Sequence, residues 1–148
     1  MADPQAVADF IAIARRMMDR YAQIAADLGV TGAQMELLDV LAEGPITSGG
    51  LADSMHCDAS NVTRLLDRLD VTGGGNLVQR RRSDSDRRVV EVSLTNRGRE
   101  TVSEHRRQRA RDIPLFAGLD PDERAHLEAL LHEVASNLGT GHSELDGS

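Results

Sequence analysis

One stretch of the sequence decides the fold: CDASNVTRLLDRLDVTGGGNLVQRRRSDSDRRVV, from Cys57 to Val90. Its first part predicts an amphipathic helix, because four apolar residues recur at helical spacing: Val62, Leu65, Leu66 and Leu69. The residues away from that stripe form hydrogen bonds or carry positive charge: Ser60, Asn61, Thr63, Arg64 and Arg68. The sequence therefore predicts a helix with one face in a protein core and a second face built for polar contacts.

Arginines flank a turn that follows this helix. After the break Gly73–Asn76 come Arg80, Arg81 and Arg82, then the acidic turn Ser83–Asp86, then Arg87 and Arg88. Alternation at Val90, Val92 and Leu94 predicts two strands, 77–82 and 88–94, around the turn. A packed helix followed by an arginine-tipped hairpin suits a DNA duplex, with the helix in the major groove and the hairpin over the backbone.

The charge distribution supports a nucleic-acid surface despite a net charge of −7. Residues 64–111 hold 13 Arg against 7 acids, whereas residues 1–63 hold 3 against 9 and residues 112–148 hold 1 against 8. All the positive residues are arginines, which suit bidentate contacts to phosphate. We expect the stretch 64–111 to attract the DNA backbone.

The remaining composition restricts the class of protein. Aromatic residues are scarce, and a single cysteine, Cys57, excludes an internal disulfide. No N-terminal basic segment precedes an apolar run, and no apolar stretch reaches membrane-spanning length. These features predict a soluble, cytoplasmic protein whose core is mainly helix packed on helix.

The flanking segments are predicted to form further helices. Asp3-Pro4 is a start signal for a long first helix with a seven-residue apolar repeat as far as Leu28, which predicts a homodimer interface; packing within its own chain is the alternative. Second and third helices run from Thr31 to Gly44 and from Thr47 to Met55, so that the third and fourth make a helix-turn-helix. Thr95 begins a fifth helix and Asp120-Pro121 a sixth.

The order of these elements and several local sequence motifs resemble the MarR family of winged-helix transcriptional regulators. The resemblance covers about Val30 to Leu138, and its most specific part is Arg80-Arg81…Asp86-Arg87-Arg88…Val92-Ser93-Leu94-Thr95…Gly98-Arg99. It implies a mainly α fold with a small β-wing: a winged helix-turn-helix, 31–95, on a helical dimerisation region, 1–30 with 96–138. We expect the tail, 139–148, to be disordered.

The resemblance also implies a function and residues for it. A homodimer would bind a palindromic operator in double-stranded DNA, as a repressor modulated by a small aromatic or lipophilic effector. By position, the family reads bases at Ala59, Ser60, Asn61, Thr63 and Arg64, while Arg87 and Arg88 fall on its wing; Arg68 and Arg82 complete the predicted contacts. An effector pocket between the first helix and the winged domain would be lined by Met17, Met18, Tyr21, Met35 and Leu38. The same residues also suit a plain core.

Three departures from the family pattern affect these expectations. Gly73–Asn76 adds about three residues between helix and wing, which would loosen the wing. Gly49-Gly50 replaces a capping box at the third helix, and Asp53 with Asp58 makes the front of the motif acidic.

Other functions find less support. Cys57 is one candidate redox switch, but its position before the recognition helix favours a structural thiol. The histidines have no zinc-site spacing, so no metal or cofactor is expected, and no catalytic motif indicates an enzyme. The serious alternative is a winged-helix protein-interaction module that does not bind DNA.

One further contact is predicted between the helix and the wing. Asp67 lies one turn after Thr63 and is predicted to pair with a wing arginine.

Overall fold

The computed structural model describes residues 3–70, 75–113 and 116–140, with side chains to residue 137. Within these ranges, the elements are α1 (Pro4–Asp27), α2 (Gly32–Leu41), β1 (Ile46–Thr47), α3 (Ser48–Ser54), α4 (Ala59–Leu69), β2 (Val78–Arg82), β3 (Val90–Leu94), α5 (Asn96–Asp112) and α6 (Pro121–Thr140). The chain divides into two compact units, Met1–Ile113 and Pro114–Ser148. The mainly α fold with a small β-wing is confirmed.

The first helix begins as its sequence predicts. Asp3 accepts a hydrogen bond from the backbone of Gln5, and Pro4 occupies the first helical position, where its missing N–H costs no hydrogen bond. At the other end Gly29 has φ +81°, a left-handed conformation that glycine adopts freely. Of this helix, only Ile24 and Ala25 are buried. Its N-terminal half therefore carries apolar side chains that the described residues leave exposed.

The helix-turn-helix consists of α3 and α4, with α2 packed beside them. The Thr31 side chain and Gln34 form a reciprocal capping box at the start of α2. Thr47 caps α3 by accepting from Gly50 N at 3.0 Å, so α3 retains a cap although its capping box is missing. Asp58 is the N-cap residue of α4, but its side chain makes no capping hydrogen bond. The amides of Asn61 and Val62 bond instead to the Asp58 carbonyl.

The wing is a three-stranded antiparallel sheet in the order β1–β3–β2. Strands β2 and β3 confirm the predicted hairpin, with Arg80 opposite Val92 and Arg82 opposite Val90. The two-residue strand β1 was not predicted. A segment of two residues after a proline shows no alternation, and only its pairing with β3, Ile46 with Val92 and Thr47 with Glu91, identifies it as a strand.

The end of α4 is joined closely to the start of β2. Leu77 N donates to Leu69 O at 2.9 Å, and the amides of Gly75 and Asn76 donate to Asp70 O. A Cβ atom on Gly75 would lie 2.4 Å from the Arg68 carbonyl oxygen, so only glycine allows this approach. The start of the wing is thus hydrogen-bonded to the end of α4. Residues 71–74, which include two of the extra residues, lie outside the described residues.

The core of the first unit lies where α2, α4, the sheet and α5 meet. Met35, Leu37 and Leu38 of α2 are fully buried, as are Val78 and Val92 of the sheet. The apolar stripe of α4 supplies Val62, Leu66 and Leu69, each at most 1% exposed. This packing confirms that the stripe faces a core and leaves the polar side of α4 outside it.

The second unit contributes the described helix α6. Asp120 Oδ1 accepts from the amides of Asp122 and Glu123, both at 2.9 Å, and Glu123 Oε2 accepts from Asp120 N at 3.1 Å. This reciprocal capping confirms the predicted helix start. Leu130, Leu131 and Val134 on this helix are exposed. The predicted tail begins at the end of α6, and from residue 141 onward it lies outside the described residues.

Candidate nucleic-acid interface

The exposed face of α4 carries the residues predicted to read bases. Ala59, Ser60, Thr63 and Arg64 are exposed, and Asn61 is half-buried. Arg64 Nη2 lies 3.5 Å from Asn61 Oδ1, so these two side chains are neighbours on the outer face. The Thr63 hydroxyl donates to the Ala59 carbonyl, which leaves the hydroxyl oxygen able to accept a second bond. The face offers donors and acceptors of the kind that distinguish base pairs in a major groove.

Leu65, a member of the predicted apolar stripe, packs against the core and also borders this face. It is only partly buried, and together with Asn61, Arg64 and Arg68 it lines a shallow cavity of about 120 Å³. An apolar side chain between two arginines can contact a base methyl group or a sugar. The helical spacing placed Leu65 in the apolar stripe but gave no signal that part of its side chain is exposed.

The tip of the wing holds the second group of predicted residues. Arg82 ends β2, and Arg87 and Arg88 follow in the turn; all are exposed. Asp86 shapes the turn, because its carboxylate accepts from Arg88 N at 2.9 Å and its carbonyl accepts from Val89 N. The acidic residue in the turn therefore organises the backbone that presents these two arginines.

The wing and α4 are connected by an ion-pair cluster. Arg80 Nη2 lies 2.6 Å from Asp67 Oδ1, and Arg80 Nε lies 3.4 Å from Asp70 Oδ2. The predicted pairing of Asp67 with a wing arginine is confirmed, and Asp70, which is buried, is an additional partner. Arg80 therefore stabilises the contact between β2 and the C-terminal end of α4.

The positive charges of α5 are largely paired within the chain. Arg106 contacts Asp39 and Glu43, Arg107 contacts Glu104, and Arg111 contacts Asp112. Hydrogen bonds from Arg111 and Arg20 lower the pKa of Asp112, and a hydrogen bond from Gln108 lowers that of Glu104. By contrast, among the described residues no ion pair involves Arg64, Arg68, Arg82, Arg87 or Arg88. The positive charge of these five arginines on α4 and the wing is therefore available to a polyanion.

The residues predicted for an effector pocket occupy different environments. Met35 and Leu38 are fully buried, Met17 and Tyr21 are half-buried, and Met18 is exposed. A polar cavity of about 250 Å³ lies elsewhere, between the α1–α2 turn, the end of α4 and the start of α5, with Gln34, Arg68 and Arg97 among its lining side chains. The five-residue pocket stays a prediction.

Two alternative chemistries can be compared with the geometry. Cys57 is a free, partly buried thiol that packs against the core. Within the described residues, no three His, Cys, Asp or Glu side chains are placed to hold a metal ion together.

None of the helices described in 3–70, 75–113 and 116–140 combines the length and apolar character needed to cross a bilayer.

Comparison with known proteins agrees with this geometry. The sequence profile of the MarR family matches residues 30–90. Two proteins of Bacillus subtilis (strain 168) each align over 112 residues. The uncharacterized HTH-type transcriptional regulator YdgJ is 30% identical, over 74% of this chain and 66% of that protein. The HTH-type transcriptional repressor MdtR is 31% identical, over 72% of this chain and 70% of that protein. The alignments thus span about two thirds of each relative.

A solved structure extends the match to the fold. A variant of MarR from E. coli, complexed with operator DNA, superposes with a TM-score of 0.67 and 27% identity over 88% of this chain and 94% of that one. These matches confirm the winged-helix fold and the resemblance noted in the sequence.

Proposed function

Since this chain belongs to the MarR family of transcriptional regulators, we propose that it acts as a homodimeric repressor on a palindromic operator. The α4 helix would enter the major groove, and the β2–β3 wing would lie over the adjacent backbone. Family membership makes the chain a transcriptional regulator and not an enzyme.

The observation that carries the DNA-binding role is the separation of paired from unpaired arginines. Four of the six arginines on α5 pair with carboxylates, whereas Arg64 and Arg68 on α4 and Arg82, Arg87 and Arg88 on the wing have no ion pair among the described residues. Cationic groups that protrude from a reading helix and a hairpin tip are suited to bases and phosphates respectively. A chain with a net charge of −7 thereby presents a locally positive surface.

The homodimer is supported by the exposed apolar residues of α1. Val7 and Phe10 are each 45% exposed, Ile11 and Ile13 are each 51% exposed, and Met18 is 61% exposed. Such a row of large apolar groups on one long helix is typical of a surface covered by a second copy. Two copies would place their α4 helices on half-sites about 34 Å apart.

The repressor and effector roles rest on the family. MdtR is named a repressor, and we extend that role to this chain. The effector would be a small aromatic or lipophilic molecule, with Met17, Met18, Tyr21, Met35 and Leu38 as the predicted lining. A thermal-shift screen of such molecules, followed by release of the operator, tests this part separately.

The DNA-binding role is tested with duplexes from the region upstream of the protein's own gene. Binding should prefer one segment of that region and should weaken steeply as salt rises, because phosphate contacts release counterions. An unrelated duplex of equal length and base composition is the control. Absence of binding at any salt concentration would instead favour the interaction module without DNA binding.

A further inference from the structure

A cluster of polar side chains joins α2 to α1 and α5, and Asp39 lies at its centre. The carboxylate of Asp39 accepts from the Tyr21 hydroxyl at 3.0 Å and from Arg106 Nε at 3.0 Å, each through a different oxygen. Arg109 Nη1 lies 3.7 Å from the oxygen that Tyr21 occupies. One carboxylate on α2 therefore binds one residue of α1 and two of α5.

The ring of Tyr21 is fixed from the α5 side as well. His105 is fully buried, its ring meets the Tyr21 ring edge-on with centroids 4.5 Å apart, and its Nε2 lies 3.2 Å from the Tyr21 carbonyl oxygen. The Arg109 guanidinium lies 5.6 Å from the centroid of the Tyr21 ring, within the range of a cation–π contact. Tyr21 is thus held at its ring, its carbonyl and its hydroxyl.

The hydrogen bond between Tyr21 and Asp39 is strengthened by its surroundings. Burial raises the pKa of the Tyr21 phenol, and the negative charge of Asp39 raises it further. The hydroxyl therefore stays protonated and donates a hydrogen bond to the carboxylate. The Asp39 side chain is only 21% exposed. A hydrogen bond to a charged acceptor in a partly dry site is stronger and more directional than apolar packing alone.

The position of the cluster gives it a role in DNA binding. Helix α2 packs against α4, which carries the reading face, while α1 carries the exposed apolar row assigned above to the partner copy. The free energy of apolar packing depends mainly on the area buried, whereas hydrogen bonds and ion pairs also require particular distances and angles. The contacts of Asp39 with Tyr21 and with two arginines of α5 add that directional restriction.

We propose that Asp39 and Tyr21 are positioning residues that fix the orientation of α2, and with it α4, relative to α1 and α5. In a homodimer this orientation determines the separation of the two α4 helices. The residues thereby set the half-site spacing that the protein accepts, although neither contacts DNA. This proposal rests on the homodimeric DNA-binding function proposed above.

The test measures affinity against half-site spacing. Duplexes selected from a random library by the parent protein are rebuilt with the centre lengthened or shortened by one and two base pairs, and single half-sites are included. The parent should prefer one spacing strongly. Asp39→Asn and Tyr21→Phe should lower that preference about tenfold, as expected for loss of one charge-assisted hydrogen bond, with no change in affinity for a single half-site.

The matched control is Glu104→Gln. Glu104 pairs with Arg107 and accepts from Gln108 on the same helix, and among the described residues no hydrogen bond or ion pair joins it to α2. The same carboxylate-to-amide change should therefore leave the spacing preference intact. Unfolding curves verify that each variant is folded. If Asp39→Asn does not fold, Tyr21→Phe decides the question, because it removes one hydroxyl and keeps the ring.

The outcomes separate this proposal from the function on which it rests. A parent that prefers one spacing, with folded variants that keep the same preference, overturns the positioning role alone. A loss of affinity that is equal for single and double half-sites also overturns it. A parent that binds no duplex overturns the proposed function and the positioning role together.

Discussion

Arg80 Nη2 on the first wing strand lies 2.6 Å from Asp67 Oδ1 on the recognition helix α4, and Arg80 Nε lies 3.4 Å from Oδ2 of the buried Asp70. The pair ties the hairpin to the helix at the point where the chain has extra residues. A basic residue in the most arginine-rich part of the sequence thus has an internal role, and the DNA-facing charge comes from its neighbours.

Replacing Asp67 with Asn should weaken operator binding although it removes a negative charge from the DNA side. The wing would lose one of its two contacts with α4 through Arg80. Because Asp67 is 58% exposed, the free energy of unfolding should change by less than about 1 kcal/mol. Asp84→Asn in the wing turn is the control, and it should leave affinity unchanged or raise it. Equal affinities for Asp67→Asn and Asp84→Asn would contradict this role.

Replacing Arg64 with Ala should relax sequence preference. Arg64 lies on the outer face of α4 beside Asn61, and loss of a base contact should reduce discrimination at one position by about 1–3 kcal/mol. Competition gel shifts with single-base operator variants measure this loss. Arg107→Ala, at an exposed arginine paired on α5, should retain the parental preference. A uniform loss of affinity across all operator variants would indicate that Arg64 contacts the DNA backbone and not a base.

Replacing Arg88 with Ala should weaken binding to all duplexes by a similar factor. The Arg88 side chain extends from the wing turn, where its amide is bound by Asp86, and a phosphate contact carries no base information. The slope of log affinity against log salt should fall in magnitude by about 1. Arg16→Ala on the exposed surface of α1 is the control for loss of one arginine. An unchanged salt slope would remove Arg88 from the interface.

Replacing Phe10 with Glu should dissociate the proposed homodimer. Phe10 belongs to the exposed apolar row of α1, and burying an unpaired carboxylate costs several kcal/mol, which raises the dimer dissociation constant by about a hundredfold or more. Sedimentation velocity over a concentration series measures the change. Ala12→Glu adds the same charge on the opposite face of the helix and should remain dimeric. A dimeric Phe10→Glu variant would place the interface elsewhere.

Tyr21, the only tyrosine, should ionise above the usual range of about 10 for a phenol. Burial and the Asp39 carboxylate raise its pKa. Its contribution to stability is therefore fully present below the unfolded pKa and is lost as pH rises through the folded pKa. Ultraviolet titration of the phenolate measures the midpoint, which Asp39→Asn should lower. A midpoint at the usual value in the folded parent would contradict the hydrogen bond.

The sequence by itself determined the fold class and the direction in which α4 faces. Apolar residues at helical spacing had to be buried, so the opposite face, with Ser60, Asn61 and Arg64, had to be outside. Alternation at Val90, Val92 and Leu94 gave the hairpin, and the caps at Asp3, Thr95 and Asp120 gave helix starts. These signals are local, because each depends on residues a few positions apart.

Only the tertiary structure decided which charges are available. Counting arginines in residues 64–111 could not separate Arg106 and Arg109, bound by Asp39, from the unpaired arginines of α4 and the wing. It also could not reveal the strand β1 or the partial exposure of Leu65. Pairing of an ion or a strand depends on contacts between residues distant in the chain, and the packing of helices creates those contacts. Local periodicity carries no information about them.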